Sequence, residues 1–127
     1  MPTEKIADHL RVDGPGSAGS PSVHPLTPRS GGHNAKSYSW HIEIIATSSD
    51  QTMLGLDLNH GPNGAVSRLH SSPIGMTQLT SNNALLLVGD AGSGVIGEYV
   101  HPILKCLSAD ANPCWAVVNV YETRKPF

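Results

Sequence analysis

Tyr38-Ser39-Trp40-His41-Ile42-Glu43-Ile44-Ile45 is the stretch whose reading decides the fold. Tyr38, Trp40, Ile42 and Ile44 alternate with Ser39, His41, Glu43 and Ile45. Successive side chains of a strand point to opposite faces, so this period of two predicts a strand.

The pattern recurs downstream. Thr47–Asp50 reads as a turn. Leu54, Leu56 and Leu58 then alternate with Met53, Gly55, Asp57 and Asn59, a second strand. Asn63-Gly64 follows, and both residues tolerate positive φ, so Ala65–His70 is expected to return as a hairpin against 53–58. Ser71-Ser72-Pro73 ends that strand. Met76–Thr80 reads as a short strand or an irregular crossing. Ala84–Val88 is an apolar run of strand length, bounded by Asn82-Asn83 and Gly89-Asp90, and reads as a buried central strand. Across 95–107 a helical stripe is broken by Pro102, which favours one strand over 95–100 and another strand, or a single turn, over 103–107. Trp115, Val117, Asn119 and Tyr121 alternate with Ala116, Val118 and Val120 in a last strand over 114–123. Short strands at this spacing, with almost no helix, predict an all-β fold: a small antiparallel β-sandwich or a partly open barrel.

Upstream of Tyr38 the composition changes. Pro2, Pro15, Pro21, Pro25 and Pro28 fall here, with Gly14, Gly16, Gly19, Gly31 and Gly32. Large apolar residues are sparse, and such a segment buries too little surface to offset its ordering entropy. Residues 1–36 are therefore expected to form an extended or disordered N-terminal arm, outside the core of a compact β-domain over 37–127. Thr3–Leu10 is the one part with a helical reading, a turn capped by Thr3. The arm is expected either to float or to drape over a neighbouring subunit.

Composition narrows the function classes. The 127-residue chain has 8 Lys plus Arg, 10 Asp plus Glu and a formal net charge of −2. That gives no basic footprint, so no nucleic-acid partner is expected. No apolar run reaches the ~18 residues of a membrane-spanning helix. No secretory signal is legible in Met1–Arg11, which predicts synthesis in the cytoplasm, with an extracellular particle as one destination. Cys106 and Cys114 flank Ser108–Pro113. They read as buried free thiols or as a disulfide closing a short loop.

The candidate chemistry is sparse. His41-Ile42-Glu43 with Pro113-Cys114 is similar to the His-x-Glu and Pro-Cys elements of the zinc nucleobase deaminases. The spacing departs from that family, whose cysteines stand close together at a helix start. His41, Asp57, His60 and His101 are candidates for a His-plus-carboxylate or metal-dependent catalytic site, with Glu43 beside His41. None has the tight spacing of a metal site, so no metal and no cofactor are expected. His60, Asn63, Asp90 and Ser93 are the ligand-binding candidates, for a site in loops 59–64, 71–75 and 89–94. Gly89–Gly94 lacks the lysine and helix start of a phosphate loop. Trp40 and Trp115 read as core anchors rather than a sugar platform.

No catalytic constellation is complete, which leans the reading away from an enzyme. The first expectation is a structural or interaction protein, coating or decorating a virion-like assembly. It would form a homo-oligomer or attach to a larger shell, with the arm contacting neighbours. The alternatives are a β-module that binds a small ligand or glycan, and a small enzyme.

Overall fold

The computed structural model describes residues 3–15, 22–27, 29–30, 37–61, 70–73, 77–78, 85–91, 99–110 and 112–125. Among them the regular elements are strands: β1 (Thr3–Gly14), β2 (Ser22–Pro25), β3 (Arg29–Ser30), β4 (Ser37–Thr47), β5 (Thr52–Gly61), β6 (His70–Pro73), β7 (Thr77–Gln78), β8 (Leu85–Ala91), β9 (Tyr99–Ser108) and β10 (Cys114–Lys125). None of the described residues forms a helix long and apolar enough to cross a membrane.

Two antiparallel sheets face each other. One has the order β1-β10-β4-β8; the other has β2-β9-β5-β6, with β3 added on β9 and β7 on β5. Apart from the two short additions, the chain passes between sheets as a double-sheet jelly roll does. The expected all-β sandwich is therefore the fold, and the barrel alternative drops out because the sheets do not close.

The alternation read from Tyr38 onward sets the inner faces. Tyr38, Trp40, Ile42 and Ile44 of β4 are buried, as are Leu54 and Leu56 of β5 and Ala116, Val118 and Val120 of β10. Each large aliphatic side chain removed from water contributes about 1.5–3 kcal/mol, so this two-sided apolar layer is the main favourable term. The Tyr38 and Trp40 rings stack with centroids 6.2 Å apart.

Several expectations are corrected. The leader is extended, but it is not outside the core. β1 pairs with β10, and β2 and β3 pair with β9. Val12 and Leu26 join the buried cluster, with Ile6, Ala7 and Leu10 packed against it. The Gly/Pro-rich stretches 16–21 and 31–36 lie outside the described residues. Thr3–Leu10 is strand, not a helical turn. Its ladder slips between Lys5 and Ala7 and again between Ala7 and Leu10. Residues four apart share a face in a strand as they do in a helix, so Ile6 and Leu10 both pack on the core without a helix; each bulge adds one residue, and the second restores the parity that the first breaks.

β9 runs unbroken through Pro102. The backbone N–H of Leu26 donates to the Pro102 carbonyl at 2.9 Å. In an antiparallel ladder a residue's N–H and C=O point to the same neighbour. The missing N–H of Pro102 therefore faces the gap where β3 gives way to β2, and the ladder to β5 loses no bond. β5 and β6 do pair antiparallel, but Asp57 stands opposite Pro73 and His60 opposite His70. A two-residue Asn63-Gly64 turn would have set Asp57 opposite His70 instead.

Candidate functional site

Two features of the surface carry chemistry. The first lies along one open side of the sandwich, where edge strand β1 of one sheet meets edge strand β2 of the other. Between them runs a mainly apolar groove of about 450 Å³, lined by Ile6, Ala7, Leu10, Val23, Pro25 and Leu26, with the polar Asp8, His24 and Thr27. β1 carries two bulges along this groove, between Lys5 and Ala7 and between Ala7 and Leu10. His9 takes a φ of 49° there, and its N–H donates to Asn119 Oδ1 at 2.8 Å. A non-glycine residue in the left-handed region is uncommon, and the buried Asn119 acceptor holds it in place. Val23 is 59% exposed at the rim, the largest exposure of a big apolar side chain among the described residues.

Ion pairs brace the leader behind the groove. Arg29 of β3 pairs with the buried Glu122 of β10 and with Glu4 of β1 at 3.1 Å. Arg124 reaches the same Glu4 carboxylate at 3.4 Å. Burial pushes the Glu122 carboxyl above its ordinary range, and Arg29 only partly offsets that. The same burial, with Glu122 nearby, raises the Tyr38 hydroxyl.

The second feature is a shallow cleft of about 340 Å³ on the outer face of the β1-β10-β4 sheet, lined by Thr3, His41, Glu43, Tyr121 and Thr123. Antiparallel register sets Tyr121 opposite His41 and Asn119 opposite Glu43. Asn119 Nδ2 donates to Glu43 Oε1 at 2.7 Å, and the Tyr121 hydroxyl donates to the same oxygen at 3.4 Å. β1 lays cations over both outward aromatics of β10. Lys5 Nζ is 5.7 Å from the Tyr121 ring centre, and the Arg11 guanidinium is 4.9 Å from that of Trp115. Hydrogen bonding to Asp8 holds the Lys5 ammonium above its usual range.

The candidates from the sequence separate. His41 and Glu43 share the outer face of β4. Asp57 and His60 lie on β5 and His101 on β9, in the opposite sheet. His101 is paired with Asn59 and His60 with Val100. Among the described residues no three His, Cys, Asp or Glu side chains gather as metal ligands would. Asn63 and Ser93 lie outside the described residues. The described parts of the three expected loops, 59–61, 71–73 and 89–91, are strand, and Asp90 belongs to β8. Trp40 anchors the core as expected. Trp115 does not: it is half-buried on the outer face beneath Arg11. Cys106 and Cys114 are free thiols, both buried.

The groove was not legible from sequence, because its residues come from the segment whose composition reads as an arm. The signal available was the run Ile6, Leu10 and Val12. In the sequence Asn119 and Tyr121 read only as strand residues; their opposition to His41 and Glu43 depends on which strands pair.

No family model matches the chain, and neither does any curated protein. The fold does match solved structures. A chain in the structure of infectious bursal disease virus, Gt strain, superposes with a TM-score of 0.63 at 10% identity, over 94% of this chain and 30% of that one. VP2 of the same virus, in its subviral particle, gives 0.57 at 11% identity, over 98% of this chain and 32% of that one. The CBM36-1 domain of a multidomain xylanase from the hindgut metagenome of Trinervitermes trinervoides gives 0.52 at 6% identity, over 99% and 98% of the two chains. This chain thus spans about a third of the viral chains. At these identities the likeness is one of fold. The class so defined is a small antiparallel jelly-roll sandwich.

Proposed function

We propose that this chain is a non-enzymatic structural domain that associates with further copies of itself, in a virion coat or decoration setting, through the β1–β2 side. The observation that carries the reading is the mainly apolar groove between two edge strands, formed wholly by residues of the leader. An edge strand offers unpaired N–H and C=O groups, and an apolar strip beside it supplies area to bury; together they suit a second copy of the same chain. The likeness to viral chains of larger size supports the shell setting, and jelly rolls recur in capsids. Light scattering on the full chain after size exclusion tests the proposal. A discrete oligomer is expected, and Val23→Asp should lower its mass while circular dichroism stays that of a sheet protein. A full chain that remains monomeric at every concentration contradicts it.

A second reading is a glycan-binding module. It is favoured by the cleft that joins the Tyr121 ring, the Glu43 carboxylate and the hydroxyls of Thr3 and Thr123, and by the fold likeness to a CBM36-1 domain. A glycan array separates the two: selective retention that Tyr121→Ala abolishes would favour this reading.

A further inference from the structure

Cys106 lies on β9 and Cys114 opens β10, so the two thiols come from opposite sheets. Both are buried, at 0% and 3% exposure. They meet beneath the end of β1, where Gly14 is the last residue paired with β10, opposite Cys114. A Cβ on Gly14 would sit 2.7 Å from Cys114 Sγ and 3.1 Å from Cys106 Sγ, so both sulfurs crowd one point. The absent side chain at position 14 leaves the room the pair occupies.

We propose that Cys106 and Cys114 form an oxidisable pair, which a low-molecular-weight disulfide converts into an intramolecular cystine tying the two sheets together beside the end of β1. The chemistry balances as thiol–disulfide exchange. Cys114 gives its proton to water, and its thiolate attacks one sulfur of the reagent. That forms a mixed disulfide and expels the first reagent thiolate. Cys106 then loses its proton and attacks Cys114 Sγ. The new Sγ–Sγ bond forms as the bond to the reagent breaks, and the second reagent thiolate leaves. Two protein thiols are oxidised and one reagent disulfide is reduced to two thiols. Burial pushes the Cys106 thiol up to about 12, so the second step is slow unless the end of β1 opens.

The test uses the folded full chain. It is incubated with glutathione disulfide, denatured, alkylated with iodoacetamide and weighed intact. The expected product is two hydrogens lighter than the reduced chain, takes up no alkyl group and regains both alkylation sites after reduction. Its thermal midpoint should rise above that of the reduced protein, and the same treatment should leave the midpoint of Cys114→Ser unmoved. Full alkylation of both cysteines, a persistent glutathione adduct or a disulfide-linked dimer would each overturn the proposal.

Discussion

Gly14 leaves almost no room for an added methyl group. Alanine there would press on two buried sulfurs at once. Overpacking of this kind costs about 1–3 kcal/mol, and the loss should show as a lower urea midpoint with an unchanged slope. Glu122 and Arg29 set a second expectation, in pH. The Glu122 carboxyl, 1% exposed, is raised from its ordinary 4.5 chiefly by burial. A raised carboxyl contributes stability that is fully present below about 4.5 and is lost as pH rises through its folded value. Arg29→Ala removes the opposing cation and raises that value further. The variant should lose on the order of 3 kcal/mol at neutral pH and draw level with the wild type as pH falls toward 4.5. A gap that stays constant across that window would contradict the pairing. Asp8 and Asp110 act in the other direction. Hydrogen bonds hold both below the ordinary 3.8, so what they contribute is lost as pH falls.

At the scale of elements, the irregular turn of β1 at His9 is held by one buried side chain. Asn119 accepts from the His9 backbone and donates to Glu43. Asn119→Ala would leave the His9 N–H without that acceptor and cost about 1–3 kcal/mol. The damage should be local: amide exchange is expected to speed up in β1 before β4 or β5 is affected. Exchange that rises equally in every strand would show that Asn119 does not act through the bulge. These strands also show what the sequence could reveal. β4, β5 and β10 keep strict alternation, and their faces were readable. β1 was not, because Ile6 and Leu10 stand four apart, a spacing that a helix and a strand both place on one face, and two bulges interrupt the alternation between them. β9 was split at Pro102 because the residue argues against a strand interior in isolation. Its tolerance depends on the break between β2 and β3, which no local pattern records.

For the whole molecule, alternation assigns a side chain to a face but not a strand to a partner. The all-β class was therefore legible and the division into two sheets was not. His41 and Glu43 could be proposed together because they share β4. Their separation from Asp57, His60 and His101 follows from long-range pairing alone. The leader is the largest revision: Val12 and Leu26 make it part of the core, and the groove gives its edge a use. Amide hydrogen exchange on the full chain, measured across a range of protein concentrations, tests that claim most directly. Association through the β1–β2 side should slow exchange in 22–25 and along the free edge of β1 as concentration rises. Exchange in both segments that is independent of concentration would contradict it.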